Sequence, residues 1–125
     1  VLADHLARAY GPRSSVLTRC NKITDLTLTR ARRRLADDLA EALASLKDSG
    51  EARALLADLC TPAEIHALAE RWHVARLLDE GKMTYREIHE ATGVSTTTIV
   101  RVARFLRQEE HGGYRLLLDR IGAPQ

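Results

Sequence analysis

The stretch from Thr84 to Leu106, TYREIHEATGVSTTTIVRVARFL, constrains this chain more than any other, because its punctuation and its apolar spacing agree. Thr84 is suited to cap a helix, and Glu87, three residues on, completes a capping box. Ile88, Ala91 and Thr92 then share an inward face. Gly93 falls where the chain must turn and a positive φ is needed. Val94 plugs the corner, and Ser95 caps a second helix. Ile99, Val102, Ala103 and Leu106 recur at i, i+3, i+4 and i+7, which makes one apolar stripe. The opposite face carries Thr97, Arg101, Arg104 and Gln108, with arginines and no acid. The run Ser95 to Val102 is rich in β-branched residues and also suits a strand. The caps, the length to Arg107 and the 3.6-residue stripe favour a helix. Two short helices, a Gly-centred turn and a basic outer face on the second helix make a helix-turn-helix over about residues 84–107, a shape that fits the major groove of duplex DNA.

Composition is compatible with that reading. The chain has 125 residues and a net charge of +2, enough for one domain and far from a polycation. Basicity is local, in Arg30, Arg32, Arg33 and Arg34 and again from Arg101 to Arg107. Local basic faces suit DNA better than a membrane surface. Cys20 and Cys60 are distant, form no paired motif and are expected to stay free in a reducing cytoplasm. No apolar run is long enough to span a bilayer, and no secretion signal is evident.

The other elements also read as helices. Residues 1–27 are weakly patterned and are expected to form a mobile N-terminal arm, with one or two helical turns around Leu2, Leu6, Ala9 and Tyr10. Leu28, Ala31, Leu35, Leu39, Ala42, Leu43 and Leu46 mark an amphipathic helix that is expected to stop near Gly50. Its early arginines oppose the helix dipole. They pair with Asp37 and Asp38, hold phosphate, or simply make a solvated charged face. A shorter helix is expected over Glu51 to Leu59. Thr61-Pro62-Ala63-Glu64 is a strong helix start, and the helix that follows is expected to bury Ile65, Leu68, Ala69, Trp72, Ala75 and Leu78 before ending at Gly81. Gly112-Gly113 breaks the chain ahead of a last apolar helix, Tyr114 to Ile121. The expected fold is all-α, a bundle of short one-sided helices over residues 28–122. Its surplus apolar surface points to a symmetric homodimer.

Other constellations carry less. His66, Glu70 and His73 share one helix face at a spacing a divalent metal can use. No cysteine or further carboxylate converges there, so no metal is expected. Trp72 reads as core. No nucleophile–base pair, carboxylate pair or phosphate-cradling glycine loop stands out, so no enzyme activity is expected.

The segment Leu56 to Leu118 resembles the tryptophan repressor family. The matching residues are LCTPAEIHALAERW from Leu59 to Trp72, LLDEGKMTYREI from Leu77 to Ile88 and ATGVSTTTIVR from Ala91 to Arg101. T-Y-R-E-I, E-A-T-G, S-T-x-T-I and the trailing G-G-Y make it similar, within that family, to the Trp-repressor-like YerC/YecD branch. The motifs are specific together and weak singly. The resemblance implies an intertwined all-helical dimer that binds a palindromic operator. It also implies a ligand site, with Arg71 and Arg101 at the positions of two ligand-holding arginines and Thr61 at a third pocket position. Val102 and Phe105 stand where the repressor has a glycine and a serine. They are expected to fill the site, so no tryptophan corepressor and no other cofactor is anticipated.

These features point to a sequence-specific DNA-binding transcriptional regulator, a cytoplasmic dimeric repressor with duplex DNA as partner and no membrane. Thr96, Thr97 and Val100 are the base-edge candidates, because threonine can hydrogen-bond and also contact a thymine methyl. Ser95 and Thr98 bring hydroxyls to phosphates at the helix N-terminus. Arg86, Arg101 and Arg104 position the backbone, and His89 is either a further contact or simply exposed. Two alternatives remain. One is a helical protein-interaction module in which the helix-turn-helix is scaffold. The other is the DNA-binding piece of a transposase or replication initiator.

Overall fold

The computed structural model describes residues 21–121. Within them the chain is all-α, with six helices and no strand: α1 (Asn21–Ala44), α2 (Ser49–Leu59), α3 (Pro62–Glu80), α4 (Tyr85–Thr92), α5 (Thr96–Arg107) and α6 (Gly113–Ile121). The chain divides into two compact units at the Ala54/Leu55 boundary.

The first unit differs from its sequence-based expectation in the extent of α1. Residues 21–27 of the anticipated arm lie within α1 and are helical. No glycine or proline lies between Asn21 and Ser49 to stop it. The remainder of the anticipated arm, residues 1–20, including Cys20, lies outside the described residues. At the other end α1 stops at Ala44 rather than near Gly50. The Ser45 hydroxyl donates to the Ala42 carbonyl at 2.7 Å, which offers the backbone a local alternative to further helix. Asp48 then accepts the Glu51 amide at 2.8 Å, and Glu51 accepts the Lys47 amide at 3.0 Å. Asp48 is therefore a start signal, and Gly50 falls inside the first turn of α2 instead of ending α1. Of the expected α1 stripe, Ala31 is buried, Leu35 and Leu46 are half-buried, and Leu39, Ala42 and Leu43 are exposed.

The second unit holds the core, built from Val74, Ala75 and Leu78 of α3, Ile88 of α4, Val94 of the turn, Ile99, Val102 and Ala103 of α5, and Leu118 of α6. Ile88, Ile99, Val74 and Val102 are the largest side chains fully withdrawn from solvent. Truncating one of them to alanine would cost about 2–4 kcal/mol, as is usual for a packed aliphatic core. Helix α3 opens on the expected capping box. Thr61 accepts the Glu64 amide, Glu64 accepts the Thr61 amide, and Pro62 takes the first helical position. Gly81 ends it in the left-handed region at φ 71°. The inward face of α3 is rotated toward its C-terminal half. Val74 joins Ala75 and Leu78 in the core, Ile65 and Trp72 are half-buried, and Leu68 and Ala69 are exposed. Only the last turns of α3 lie against α5 and α6 deeply enough to exclude water.

Candidate nucleic-acid interface

Helices α4 and α5 form the helix-turn-helix, and local chemistry sets its angle. Thr84 and Glu87 make a second capping box, in which the Thr84 amide reaches Glu87 Oε2 at 2.7 Å and the Glu87 amide reaches Thr84 Oγ1 at 3.2 Å. Gly93 closes α4 at φ 74°, a conformation in which a side chain would be strained. Val94 is buried in the corner. Thr92 does not point into the core beside Ile88. Its hydroxyl donates to the Ile88 carbonyl at 2.6 Å and accepts the Val94 amide at 3.1 Å, so it bridges the turn. Ala91 is exposed.

The caps of α3, α4 and α5 differ in one respect. Thr61 and Thr84 are each backed by a glutamate in the first helical turn. Ser95 is backed by Thr98: the Ser95 hydroxyl accepts the Thr98 amide at 3.2 Å and donates to Thr98 Oγ1 at 2.9 Å. The first turn of α5 therefore carries no carboxylate, and its last turn holds Arg104 and Arg107. The positive end of that helix dipole is left open to an anion.

Beyond the cap, Thr96, Thr97, Val100, Arg101 and Arg104 are all exposed on α5, and Val100 retains 55% of its surface. A valine that open in the middle of a helix, between threonines and arginines, is a free apolar contact point. Arg86 on α4 pairs with Glu90 at 3.0 Å, with both side chains open to water. Arg104 pairs with Glu109 at 3.4 Å. Exposed pairs of this kind are weak and exchange readily for a phosphate. Ser95 and Thr98 spend their hydroxyls on the cap. His89 is exposed, and its Nδ1 donates to the Val94 carbonyl at 2.7 Å. The sequence places His89 on the open face of α4 and does not reveal this bond across the turn.

Each ligand position implied by the family resemblance has a contact within the chain. Thr61 Oγ1 belongs to the α3 cap. Arg71 is half-buried and donates from Nε to the Ala67 carbonyl at 3.4 Å. The Arg101 guanidinium lies 4.5 Å from the Phe105 ring centroid and that of Arg104 lies 5.1 Å away. His111 stacks on the same ring at 6.0 Å. Val102 is 1% exposed, inside the core. An open apolar cleft of about 420 Å³ lies between Trp72, Phe105, Tyr114 and Leu117. His66 pairs with Glu70 at 2.9 Å, and among the described residues no three His, Cys, Asp or Glu side chains converge as metal ligands. No helix among them is long and apolar enough to cross a membrane.

This architecture is that of a helix-turn-helix DNA-binding protein. The chain belongs to the Trp repressor protein family, a family of regulatory DNA-binding proteins, whose profile matches residues 27–121. It is 42% identical over 96 residues to the uncharacterized protein YerC of Bacillus subtilis, an alignment covering 77% of this chain and 90% of that one. A TrpR-like protein from Eubacterium eligens superposes with a TM-score of 0.66 at 40% identity, over 74% of this chain and 93% of the other. A Staphylococcus aureus protein provisionally named a Trp repressor gives a TM-score of 0.66 at 34% identity, over 74% and 90% of the two chains.

Proposed function

We propose that the protein is a sequence-specific transcriptional repressor that binds an inverted-repeat operator as a homodimer in the cytoplasm and needs no tryptophan to do so. The observation that carries this reading is the exposed face of α5, where Thr96, Thr97, Val100, Arg101 and Arg104 follow a cap without a carboxylate. Thr96 and Thr97 read base edges in the major groove. Arg86, Arg101 and Arg104 hold the phosphates that set the register. The homodimer covers the apolar side chains that a single chain leaves open, among them Leu59, Leu68, Leu116, Leu117 and Ile121.

The test is binding of purified protein to the DNA upstream of its own gene, followed across a salt series. Neutralising phosphates releases counterions, so affinity falls steeply as salt rises. Replacing Arg86 or Arg104 with alanine is expected to weaken binding to every sequence and to reduce the salt slope by about one each. Binding of a protein ligand with no affinity for duplex DNA would instead favour an interaction module. DNA binding without sequence preference would favour a component of a recombination or replication machine.

A further inference from the structure

Between the start of α4 and the second half of α5 lies a concavity of about 210 Å³, lined by Tyr85, Val100, Ala103, Arg104, Arg107 and Gln108. It has two chemically distinct parts. The Tyr85 ring, Val100 and Ala103 form an apolar wall, with Tyr85 39% and Val100 55% exposed. Arg104, Arg107 and Gln108 form a polar rim, all of them exposed. Arg107 is held in place. Its Nη1 donates to the Tyr85 hydroxyl and its Nη2 to the Leu78 carbonyl, each at 3.4 Å. That fork joins the end of α3, the start of α4 and the end of α5. A guanidinium has five N–H donors, so three remain. Tyr85, which accepts from Arg107, keeps its own O–H proton to give.

Resting on the regulator reading above, we propose that this concavity is a clamp for one sugar–phosphate unit of the DNA backbone, with the deoxyribose against Tyr85, Val100 and Ala103 and the phosphate held by Arg107, Arg104 and the Tyr85 hydroxyl. A sugar–phosphate unit is apolar on its carbon face and doubly acceptor-rich at its anionic oxygens, which matches the two parts of the site. The amides at the start of α4 are the obvious competitor for that phosphate, but the Thr84–Glu87 capping box occupies two of them and sets a carboxylate beside the others. An anion approaching α4 is therefore directed past its N-terminus to the arginines beside it. The clamp also explains an arrangement that folding alone does not require: an open tyrosine and an open valine next to two arginines, on the face from which α5 presents its threonines. Tyr85 and Arg107 thereby become DNA-contacting residues, and Arg107 additionally positions the reading head by bridging three helices.

The experiment uses the full chain and a duplex carrying its selected site, in which single phosphates are replaced one at a time by uncharged methylphosphonates. Four proteins are compared: wild type, Arg107→Ala, Tyr85→Phe and Gln108→Glu. Gln108→Glu places a negative charge on the rim without touching the core. Tyr85→Phe is expected to weaken binding about ten-fold, the loss of one hydrogen bond to a charged group, with the preferred sequence unchanged. Arg107→Ala is expected to lower the salt slope by about one, and Gln108→Glu to weaken binding at low salt more than at high salt. One methylphosphonate position should weaken wild type and have no further effect on Arg107→Ala. Full affinity in both Tyr85→Phe and Gln108→Glu overturns the clamp, as does a methylphosphonate profile that Arg107→Ala leaves unaltered. Should Arg107→Ala melt early, the other two variants decide the matter. Failure of wild type to bind any duplex overturns the regulator reading together with the clamp, whereas wild-type binding with indifferent variants overturns the clamp alone.

Discussion

His89 Nδ1 donates to the carbonyl oxygen of Val94 at 2.7 Å, across the turn that separates the two helices of the reading head. Val94 is itself buried, and its amide is held by Thr92 Oγ1. One residue in the corner is thus fixed at its amide, its carbonyl and its side chain. The bond requires the proton on Nδ1, which leaves Nε2 on the exposed side of the ring. His89→Ala is expected to destabilise the protein by about 1 kcal/mol, the net worth of one such hydrogen bond. A urea titration of the two proteins checks it. Equal midpoints would mean that the Val94 carbonyl finds water just as readily.

Glu64 carries a stability effect whose sign follows from its partners. Its carboxylate accepts the Thr61 amide, and Thr61 Oγ1 lies in the same capping box; both hold its pKa below the ordinary value of 4.5. A carboxyl depressed in the folded state contributes stability above its unfolded pKa and loses it as pH falls through the folded one. Wild type is expected to exceed Glu64→Gln in stability at neutral pH, and the difference should shrink as pH drops below 4.5. Denaturant midpoints at neutral and acid pH measure the difference. A gap constant across that range would place the stabilisation outside the Glu64 charge.

How much of this was legible in the sequence depended on the reach of each interaction. The boundaries set by neighbours three or four residues apart stood in plain view, at Thr61 with Glu64, Thr84 with Glu87, Gly81, Gly93 and Ser95. The Asp48 cap of α2 is equally local, yet it was obscured by Gly50, which reads as a stop and instead sits in a first turn, where helix interiors have not yet begun. Interactions between distant residues left no periodic trace. Arg107 finds Tyr85 across 22 positions and Arg115 finds Asp79 across 36. The buried part of α3 is only partly legible for a related reason: Ala75 and Leu78 enter the core as their spacing suggests, whereas Leu68 and Ala69 stay exposed. Spacing shows that Leu68 and Trp72 share an apolar side, but the packing of α5 and α6 decides which part of the helix is covered. Of the candidate site, the exposed threonines and arginines of α5 followed from the stripe opposite Ile99 and Val102. The bonds that withdraw Ser95, Thr98 and His89 into the cap and the turn did not.

Thr97 is exposed one residue inside the start of α5, and the cap that joins Ser95 to Thr98 does not involve it. Thr97→Ala is therefore expected to change sequence preference more than overall affinity, with a loss of about 1–3 kcal/mol confined to one base pair. Selection of preferred sites from a random pool, run on both proteins, checks this. The same motif from both would remove Thr97 from base readout.

Leu116 and Leu117 stand 56% and 40% exposed on α6, whose Leu118 is the residue that enters the core. Adjacent leucines open to water are expected to lie in the homodimer interface. Leu116→Glu with Leu117→Glu should convert a dimer to a monomer in sedimentation at micromolar protein and sharply weaken operator binding. The wild-type site should be an inverted repeat with half-sites about one helical turn apart, roughly 34–36 Å. A wild-type monomer bound to a single half-site would contradict the proposed assembly.

Tryptophan is expected to have no effect on DNA binding. Val102 occupies the core at 1% exposure, and Phe105 lies under Arg101 and against His111. These two side chains stand where the amino-acid-sensing relatives implied by the resemblance have a glycine and a serine. Admitting an indole would require displacing a packed valine, and the ligand's ammonium would lose a hydroxyl partner, a cost on the order of a few kcal/mol for an unpaired polar group. Thr61 is held by its own helix cap. Calorimetry should show no heat on tryptophan addition, and operator affinity should be unchanged with millimolar tryptophan present. Conversely, Val102→Gly with Phe105→Ser reopens the space, and weak tryptophan binding by that variant, absent in wild type, would identify the two side chains as the filling. Micromolar binding by wild type, coupled to tighter operator binding, would restore the amino-acid sensor.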